Sequence, residues 1–263
     1  MTIGSIINVL ETVAPPSLQE SYDNVGLLIG TAADPCTGVL VTLDVTEAVV
    51  DEAVAKGANL IVAHHPLIFG GLKRISPNDH VGATVIRAIQ NGIAVYAIHT
   101  NLDNVLDGVN GVMAEKLGLI HTKVLVPKLG NVGAVIGSGA IGEWEVAKSP
   151  EEALNLVKER FGLRVIRHTP FPQRPVKRVA LCGGAGSFLI SNALHARADL
   201  YITADVKYHE FFGAESRMIL ADIGHFESEQ FTSDLLFGRL REKFPNFAVL
   251  KSMVETNPIK YFI

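Results

Sequence analysis

The sequence predicts an α/β fold of two lobes, each a mixed, mostly parallel sheet flanked by helices. The chain has 263 residues, 48% of them hydrophobic and 19% charged, which is enough for a large core and two lobes. Apolar strand-like runs alternate with helical patterns, as expected for parallel strands joined by right-handed crossovers. From Thr122 to Gly142 the pattern changes to glycine-rich, β-like runs with few charges. We therefore predict lobes at residues 1–125 and 126–263, with the alternative that the last helix and strand pack on the first lobe.

Composition excludes several classes of protein. The formal net charge is −4, and no run of Lys and Arg offers a local basic patch, so a nucleic-acid partner is not expected. No apolar segment is long enough to span a membrane, and the amino terminus has no basic leader, so we expect a cytoplasmic protein. Cys36 and Cys182 are far apart, which argues against disulfide scaffolds and thiolate zinc sites.

The first lobe begins with an amphipathic helix that ends before Pro15. Strands are predicted at 25–30, 39–44, 60–63 and 93–98, helices at 47–56, 81–91 and 107–117, and an irregular loop at 67–79. Thr46 suits the N-cap of the second helix, and Gly57 its end.

The second lobe is predicted from similar signals. Ser149 is a helix cap and Pro150 the first helical residue. Strands are expected at 163–167, 176–182, 200–203, 218–221 and 247–251, with helices from 188 to 196, around 207–214 and in one long run to Lys243.

Two neighbouring strands of the first lobe end in residues of metal-ligand type. His64 and His65 follow the apolar run Leu60–Ala63 directly, and His99 and Asp103 follow the next strand. Because carboxyl ends of parallel strands meet at one sheet edge, these side chains are expected to converge there.

Two further strand ends lie in the second lobe. Lys207, Tyr208 and His209 follow one strand, and His225 and Glu229, four residues apart at a helix start, follow another. Imidazoles and carboxylates without thiolates suit zinc, iron or manganese. One catalytic zinc usually takes three protein ligands, so this larger set favours a two-metal site.

Each feature also has a structural alternative. A single His at a strand end is more often a hydrogen-bonded structural residue, and His-x-x-x-Glu is common on solvated helix faces. The run Gly183, Gly184, Ala185, Gly186 and Ser187 could cradle a phosphate through its backbone amides or could be a tight structural turn. The convergence of several strand ends is what favours a metal site.

The chain resembles the GTP cyclohydrolase 1 type 2 homologues, also called NIF-three-like dinuclear metal centre hexameric proteins, essentially from end to end. The resemblance rests on Asp23-Asn24-Val25-Gly26, His64-His65-Pro66, His99-Thr100-Asn101-Leu102-Asp103, Cys182-Gly183-Gly184-Ala185-Gly186-Ser187, Thr203-Ala204-Asp205-Val206-Lys207-Tyr208-His209, Gly224-His225 with Glu229, and Asn257-Pro258.

That resemblance implies two divalent ions per chain, of zinc, iron or manganese, held by His64, His65, Asp103, His225 and Glu229. It also implies a two-lobed fold with the metal site between the lobes, and a toroidal homohexamer with sites facing an internal cavity. Some relatives carry an inserted domain for which this chain is too short.

Two functional hypotheses follow. The first is metal-dependent hydrolysis of a nucleotide or phosphate-bearing small molecule by metal-activated water, with GTP suggested by the family name. His99, Lys207 and His209 are then candidates for proton transfer or substrate anchoring, joined by Tyr208, and Gly183, Gly184, Gly186 and Ser187 are candidates for phosphate binding. The second is a metal-storing, metal-delivering or regulatory protein without catalysis. The position of the non-ligand residues discriminates between them.

Overall fold

The computed structural model describes residues 1–129 and 135–262, apart from the side chain of Leu129. Packing divides it into two units. The first contains Met1–Leu102 and Phe231–Lys260, and the second contains Asp103–Gln230 together with the residues from Tyr261. The predicted lobe boundary at residues 125 and 126 stays a prediction, since these units are defined by packing alone.

The first unit is built on a five-stranded sheet with three parallel pairs. Its strands are β1 (Gly26–Ile29), β2 (Val39–Thr42), β3 (Leu60–Ala63), β4 (Ala94–Ala97) and β11 (Val249–Lys251), in the order β1-β4-β3-β2-β11. Only β1 runs antiparallel to its neighbour. β2, β3 and β4 are buried throughout, which explains their continuous apolar runs.

Helices cover the first sheet. They are α1 (Ile3–Val13), α2 (Glu47–Ala55), α3 (His80–Gln90), the single turn α4 (Thr100–Asp103) and α9 (Thr232–Lys243). The Thr46 side chain caps α2 by accepting from the Val49 amide, and Gly57 follows α2 at φ +71°, as predicted. Apolar residues of α2 and α3, including Val49, Val50 and Val85, pack with Leu40 and Ile61 of the sheet.

The second unit contains a six-stranded sheet that is antiparallel at both sides. Its strands are β5 (Ile120–Leu129), β6 (Val135–Lys148), β7 (Arg167–His168), β8 (Val176–Ala185), β9 (Leu200–Ala204) and β10 (Ile219–Asp222), in the order β5-β6-β8-β9-β10-β7. Only β8/β9 and β9/β10 are parallel. The predicted mixed α/β class is confirmed, but "mostly parallel" describes the first sheet alone, because β5 and β6 form a long hairpin rather than short runs.

The second unit's helices are α5 (Val109–Lys116), α6 (Pro150–Phe161), α7 (Ile190–His195) and α8 (His225–Glu229), with a 3-10 helix at Tyr208–Ala214. Ser149 and Glu152 form the capping box of α6, as the sequence predicts.

Two predicted elements differ in the structure. The helical run expected up to Lys243 is two helices, α8 in the second unit and α9 in the first, with residues 230 and 231 outside both. The expected glycine turn after strand 176–182 is largely strand, since β8 continues through Gly183 and Gly184 to Ala185.

Within the described ranges, none of the helices combines the length and the hydrophobicity that a membrane-spanning helix requires.

Candidate metal centre

Three histidines of the first unit lie together. His64 and His65 follow β3, and their backbone amides still donate to carbonyls of the neighbouring segment, Thr42 O and Leu43 O. Their ring centroids are 4.9 Å apart and lie 5.3 and 5.4 Å from the ring of His99. One nitrogen of each ring lies within 4.8 Å of the others. The predicted convergence of these two strand ends is therefore present within the first unit.

The Nδ1 atom of each of these rings faces an oxygen that can only accept a hydrogen bond. His64 Nδ1 lies 2.9 Å from the Ile98 carbonyl oxygen. His65 Nδ1 lies 2.7 Å from Asp44 Oδ1, and His99 Nδ1 lies 2.9 Å from Asp23 Oδ1. Since carbonyls and carboxylates only accept, Nδ1 carries the hydrogen, and in the neutral ring Nε2 then carries the lone pair. This arrangement is typical of metal-ligating histidines.

His225 of the second unit follows the same rule. Its Nδ1 lies 2.7 Å from Asp205 Oδ2, and its Nε2 lies 3.0 Å from Glu229 Oε2. The four-residue spacing on α8 places the imidazole and the carboxylate on one helical face, as predicted. A distance of 3.0 Å fits two ligands of one ion, and it also fits an imidazolium–carboxylate pair.

Glu229 is the central acidic group of the second unit. Its side chain is only 3% exposed, and one of its oxygens lies within 4.8 Å of an Asp103 carboxylate oxygen. Two carboxylates so close in a poorly hydrated position repel each other, which favours a bound cation between them. A carboxylate flanked by Asp103 on one side and His225 on the other is suited to bridge two ions.

Cys182 lies in the same region and remains a thiol. Burial raises the pKa of Cys182 above its usual range, and the negative charges of Asp103 and Glu229 raise that pKa further. The thiolate, rather than the thiol, is the metal ligand, so this environment disfavours sulfur coordination.

The glycines of the Cys182–Ser187 segment make room for neighbouring side chains. A Cβ atom on Gly184 would lie 2.5 Å from Glu229 Oε1 and 3.2 Å from His225 Cε1, and Gly184 has φ +61°. On Gly183 a Cβ would meet Val109 Cγ1 at 2.7 Å, and on Gly186 it would meet Thr203 Oγ1 at 2.4 Å. Glycine at position 184 therefore lets β8 and α8 approach closely, while the other two make room for α5 and β9.

The same segment is poorly suited to the predicted phosphate cradle. The Gly183 amide donates to Asn110 Oδ1 at 3.1 Å, and the Gly184 amide donates to Ser228 Oγ at 2.9 Å. Ser187 Oγ donates to Glu210 Oε1 at 3.1 Å. These donors already have partners, and the following helix α7 is short. A packing role within β8, rather than a phosphate cradle or a tight turn, fits these contacts.

Sequence reasoning missed residues that support the candidate site. Asp23, Asp44 and Asp205 accept from imidazole Nδ1 atoms, whereas Asn110 and Ser228 hydrogen-bond the backbone of Asp103 and His225. Asn110 joins two elements, because its Nδ2 donates to the Asp103 backbone oxygen at 3.0 Å while its Oδ1 accepts from Gly183. A usable signal was present for the acids, since Asp44 lies two residues after β2 and Asp23 and Asp205 lie inside the motifs Asp23–Gly26 and Thr203–His209.

Lys207 and His209 are exposed on the 3-10 helix of the second unit. Tyr208 is 74% exposed, and its ring packs edge-on against His209 at 5.1 Å. Of the three candidates for proton transfer or anchoring, His99 lies in the histidine cluster of the first unit, with His64 and His65. The roles of Lys207 and His209 stay predictions.

Comparison with known proteins decides the family. A family model described as Duf34/NIF3 (NGG1p interacting factor 3) matches residues 1–258. The chain belongs to the DUF34/NIF3 family. The expected resemblance is thus confirmed.

Named relatives of this DUF34/NIF3 protein are similar along most of its length. A Clostridium perfringens protein called GTP cyclohydrolase 1 type 2 homolog is 36% identical over 230 residues, covering 87% of each chain. A Campylobacter jejuni protein of the same name is 32% identical, with 100% of both chains covered. The crystal structure of a Bacillus cereus protein related to NIF3 superimposes with a TM-score of 0.92 at 26% identity, covering 100% of this chain and 99% of that one.

Asp23 is the strongest structural anchor of the His99 segment. Its side chain is fully buried, and it accepts from the Thr100 amide at 3.0 Å and from the Thr100 hydroxyl. Burial alone would raise the pKa of Asp23, but the hydrogen bonds from His99 and Thr100 outweigh it and lower the pKa to about 2.

Asp23→Asn is expected to destabilise the metal-free protein by about 2 kcal/mol at pH 7. The folded pKa lies below the unfolded value, so the ionised carboxylate stabilises the fold fully above about pH 4 and loses this contribution as pH falls towards about 2. Urea unfolding of both proteins from pH 7 downwards tests this. A difference that stays constant from pH 5 to pH 2.5 would contradict it.

Proposed function

We propose that this DUF34/NIF3 protein binds two divalent metal ions per chain and uses them to hydrolyse a nucleotide or another phosphate-bearing small molecule. The proposed ligands are drawn from both units and are His64, His65, Asp103, His225 and Glu229. Zinc, iron and manganese all suit this donor set.

One observation carries the metal proposal. All three imidazoles in the ligand set, His64, His65 and His225, direct Nδ1 at an oxygen acceptor, and their Nε2 atoms are thereby set as the ligating nitrogens. His168 and His195 also direct Nδ1 at a carbonyl oxygen, so the orientation supports a metal site through its combination with the close grouping of the His64, His65 and His99 rings. The close pair of carboxylates on Asp103 and Glu229 supports the same conclusion, because a cation relieves their repulsion.

Divalent ions held by these residues would supply Lewis acidity towards a substrate oxygen and make water a stronger nucleophile at neutral pH. The chain's own residues would supply the rest. Asp103 and Glu229 would neutralise the ions in part and fix their positions. Asp44 and Asp205 would hold His65 and His225 in the ligating tautomer through the Nδ1 hydrogen bonds.

His99 is the candidate for proton transfer. Its Nδ1–H donates to the buried Asp23 carboxylate, which fixes the ring and leaves Nε2 to take or give a proton. An imidazole oriented by a buried carboxylate is a recurring arrangement for a general base. The placement of His99 beside His64 and His65 therefore favours catalysis over storage.

The exposure of Lys207, Tyr208 and His209 favours a second candidate function. Side chains on an exposed 3-10 helix are placed to meet a partner protein, as a metal-delivering or regulatory protein would require. This candidate uses the same metal ligands and no turnover.

Gly184→Ala is expected to weaken metal binding by at least about tenfold, because the new methyl group displaces Glu229. Gly162→Ala is the matched control, since Gly162 also has a positive φ, +65°, but has nothing within 4 Å of its Cβ position. Titration of both metal-free variants with Zn²⁺ measures the effect. Equal Zn²⁺ affinity in the two variants would argue against Glu229 as a ligand.

Metal-loaded protein is expected to release formate from GTP, or phosphate from another nucleotide in a screen of nucleotides and phosphoesters. Asp103→Ala should lose both metal and turnover. His99→Gln should retain both ions while kcat falls by about 10²-fold or more. No turnover above the Asp103→Ala background with any metal would rule out hydrolysis and leave the second candidate.

We also propose a homohexamer, as the family resemblance implies. Six chains of 28.3 kDa give a mass of about 170 kDa. Light scattering coupled to size exclusion measures this directly, and a mass of one or two chains at micromolar concentration would contradict the proposal.

A further inference from the structure

A cleft of about 700 Å³ lies on the second unit, lined by residues of β5, β6, β8 and the end of α7. Its volume is in the range of small-molecule sites. It contains none of the proposed metal ligands. Part of its lining is apolar, from Val124, Leu125 and Ile141.

Basic side chains dominate the polar part of this cleft. They are His121, Lys123, Arg178, His195 and Arg197, and Glu143 is the single acid among the residues that line it. Arg178 forms an ion pair with Glu143, with 2.9 Å between Nη2 and Oε1. Within the described ranges, Lys123 and Arg197 form no ion pair, and both are exposed. The cleft therefore carries excess positive charge on a chain whose net charge is −4.

Two of these basic residues have unfavourable backbone conformations. His121 has φ +53° and Arg197 has φ +57°, which side chains other than glycine rarely adopt. Arg197 follows the C-cap of α7, and the Ala198 amide donates to the Ala193 carbonyl at 3.0 Å, which is the helix-ending motif that normally places glycine there. Arginine thus lies at a position whose backbone conformation favours glycine, and such positions concentrate at functional sites.

The pairing of β5 with β6 is also irregular beside two of these basic residues, His121 and Lys123. The pairing of β5 with β6 shifts register between Ile120 and Lys123, which includes the strained His121. A break in register changes the direction of nearby side chains. Arg178 is held at the other side of the cleft, since its Nη1 donates to the Ala196 carbonyl at 3.1 Å in addition to its ion pair.

We propose that this cleft binds a small organic phosphate, with Lys123 and Arg197 contacting the phosphate and Val124, Leu125 and Ile141 contacting the organic part. The excess positive charge selects an anion. The apolar lining selects a ligand with an uncharged ring or chain over inorganic phosphate.

Calorimetric titration with ATP tests the proposal on the full metal-free protein. Lys123→Ala and Arg197→Gly should each weaken ATP binding by about tenfold or more, because each removes a charge-assisted contact. Arg197→Gly should at the same time raise the denaturant midpoint, since glycine suits φ +57°. A loss of binding together with a gain of stability is not expected from a merely structural residue.

Lys158→Ala is the charge-matched control, because Lys158 is an exposed cation on α6 outside the cleft. It should leave the ATP affinity unchanged, as should Asp103→Asn, which alters the proposed metal centre. The proposal is overturned if the protein does not bind ATP, or if Lys158→Ala and Lys123→Ala lose ATP affinity equally. It is also overturned if Asp103→Asn alone loses ATP binding, or if inorganic triphosphate binds as tightly as ATP.

Discussion

The hydrogen bond from an imidazole Nδ1 to a fixed oxygen is the interaction on which the candidate site depends. It occurs at His64, His65, His99 and His225, with distances between 2.7 and 2.9 Å. In each ring it settles the tautomer and the direction of Nε2 before any ion arrives. Preorganised ligands lose little freedom on binding, so this set of contacts would raise the affinity for a metal ion without adding a ligand.

The glycines beside α8 are the second constraint. Glu229 lies close to β8 because Gly184 has no side chain there. Ser228 fastens α8 to β8, since its hydroxyl accepts from the Gly184 amide while donating to the His225 carbonyl. The backbone contacts of β8 therefore hold two proposed ligands, His225 and Glu229, in position.

Much of this was accessible from the sequence. Continuous apolar runs predict buried parallel strands, and the strand ends point to His64, His65 and His99 because parallel strands deliver their carboxyl ends to one edge. The caps Thr46 and Ser149 were predictable because they depend only on local hydrogen bonds.

Other features could not be predicted from the sequence. The antiparallel pairing of β5 with β6 is one, since pairing between strands leaves only a weak pattern in the local sequence. The break between α8 and α9 was not predicted either, because no proline or glycine marks it in the sequence. The roles of Asp44 and Asp205 were not predicted because each accepts a hydrogen bond from a histidine that lies 21 or 20 residues further along the chain.

The most direct test of the account is anomalous diffraction from crystals grown with Zn²⁺. We expect two anomalous peaks per chain, with the Nε2 atoms of His64, His65 and His225 at about 2.0–2.1 Å from an ion and Glu229 in contact with both ions. A single ion, coordination through Nδ1, or a peak about 2.3 Å from the Cys182 sulfur would contradict the account.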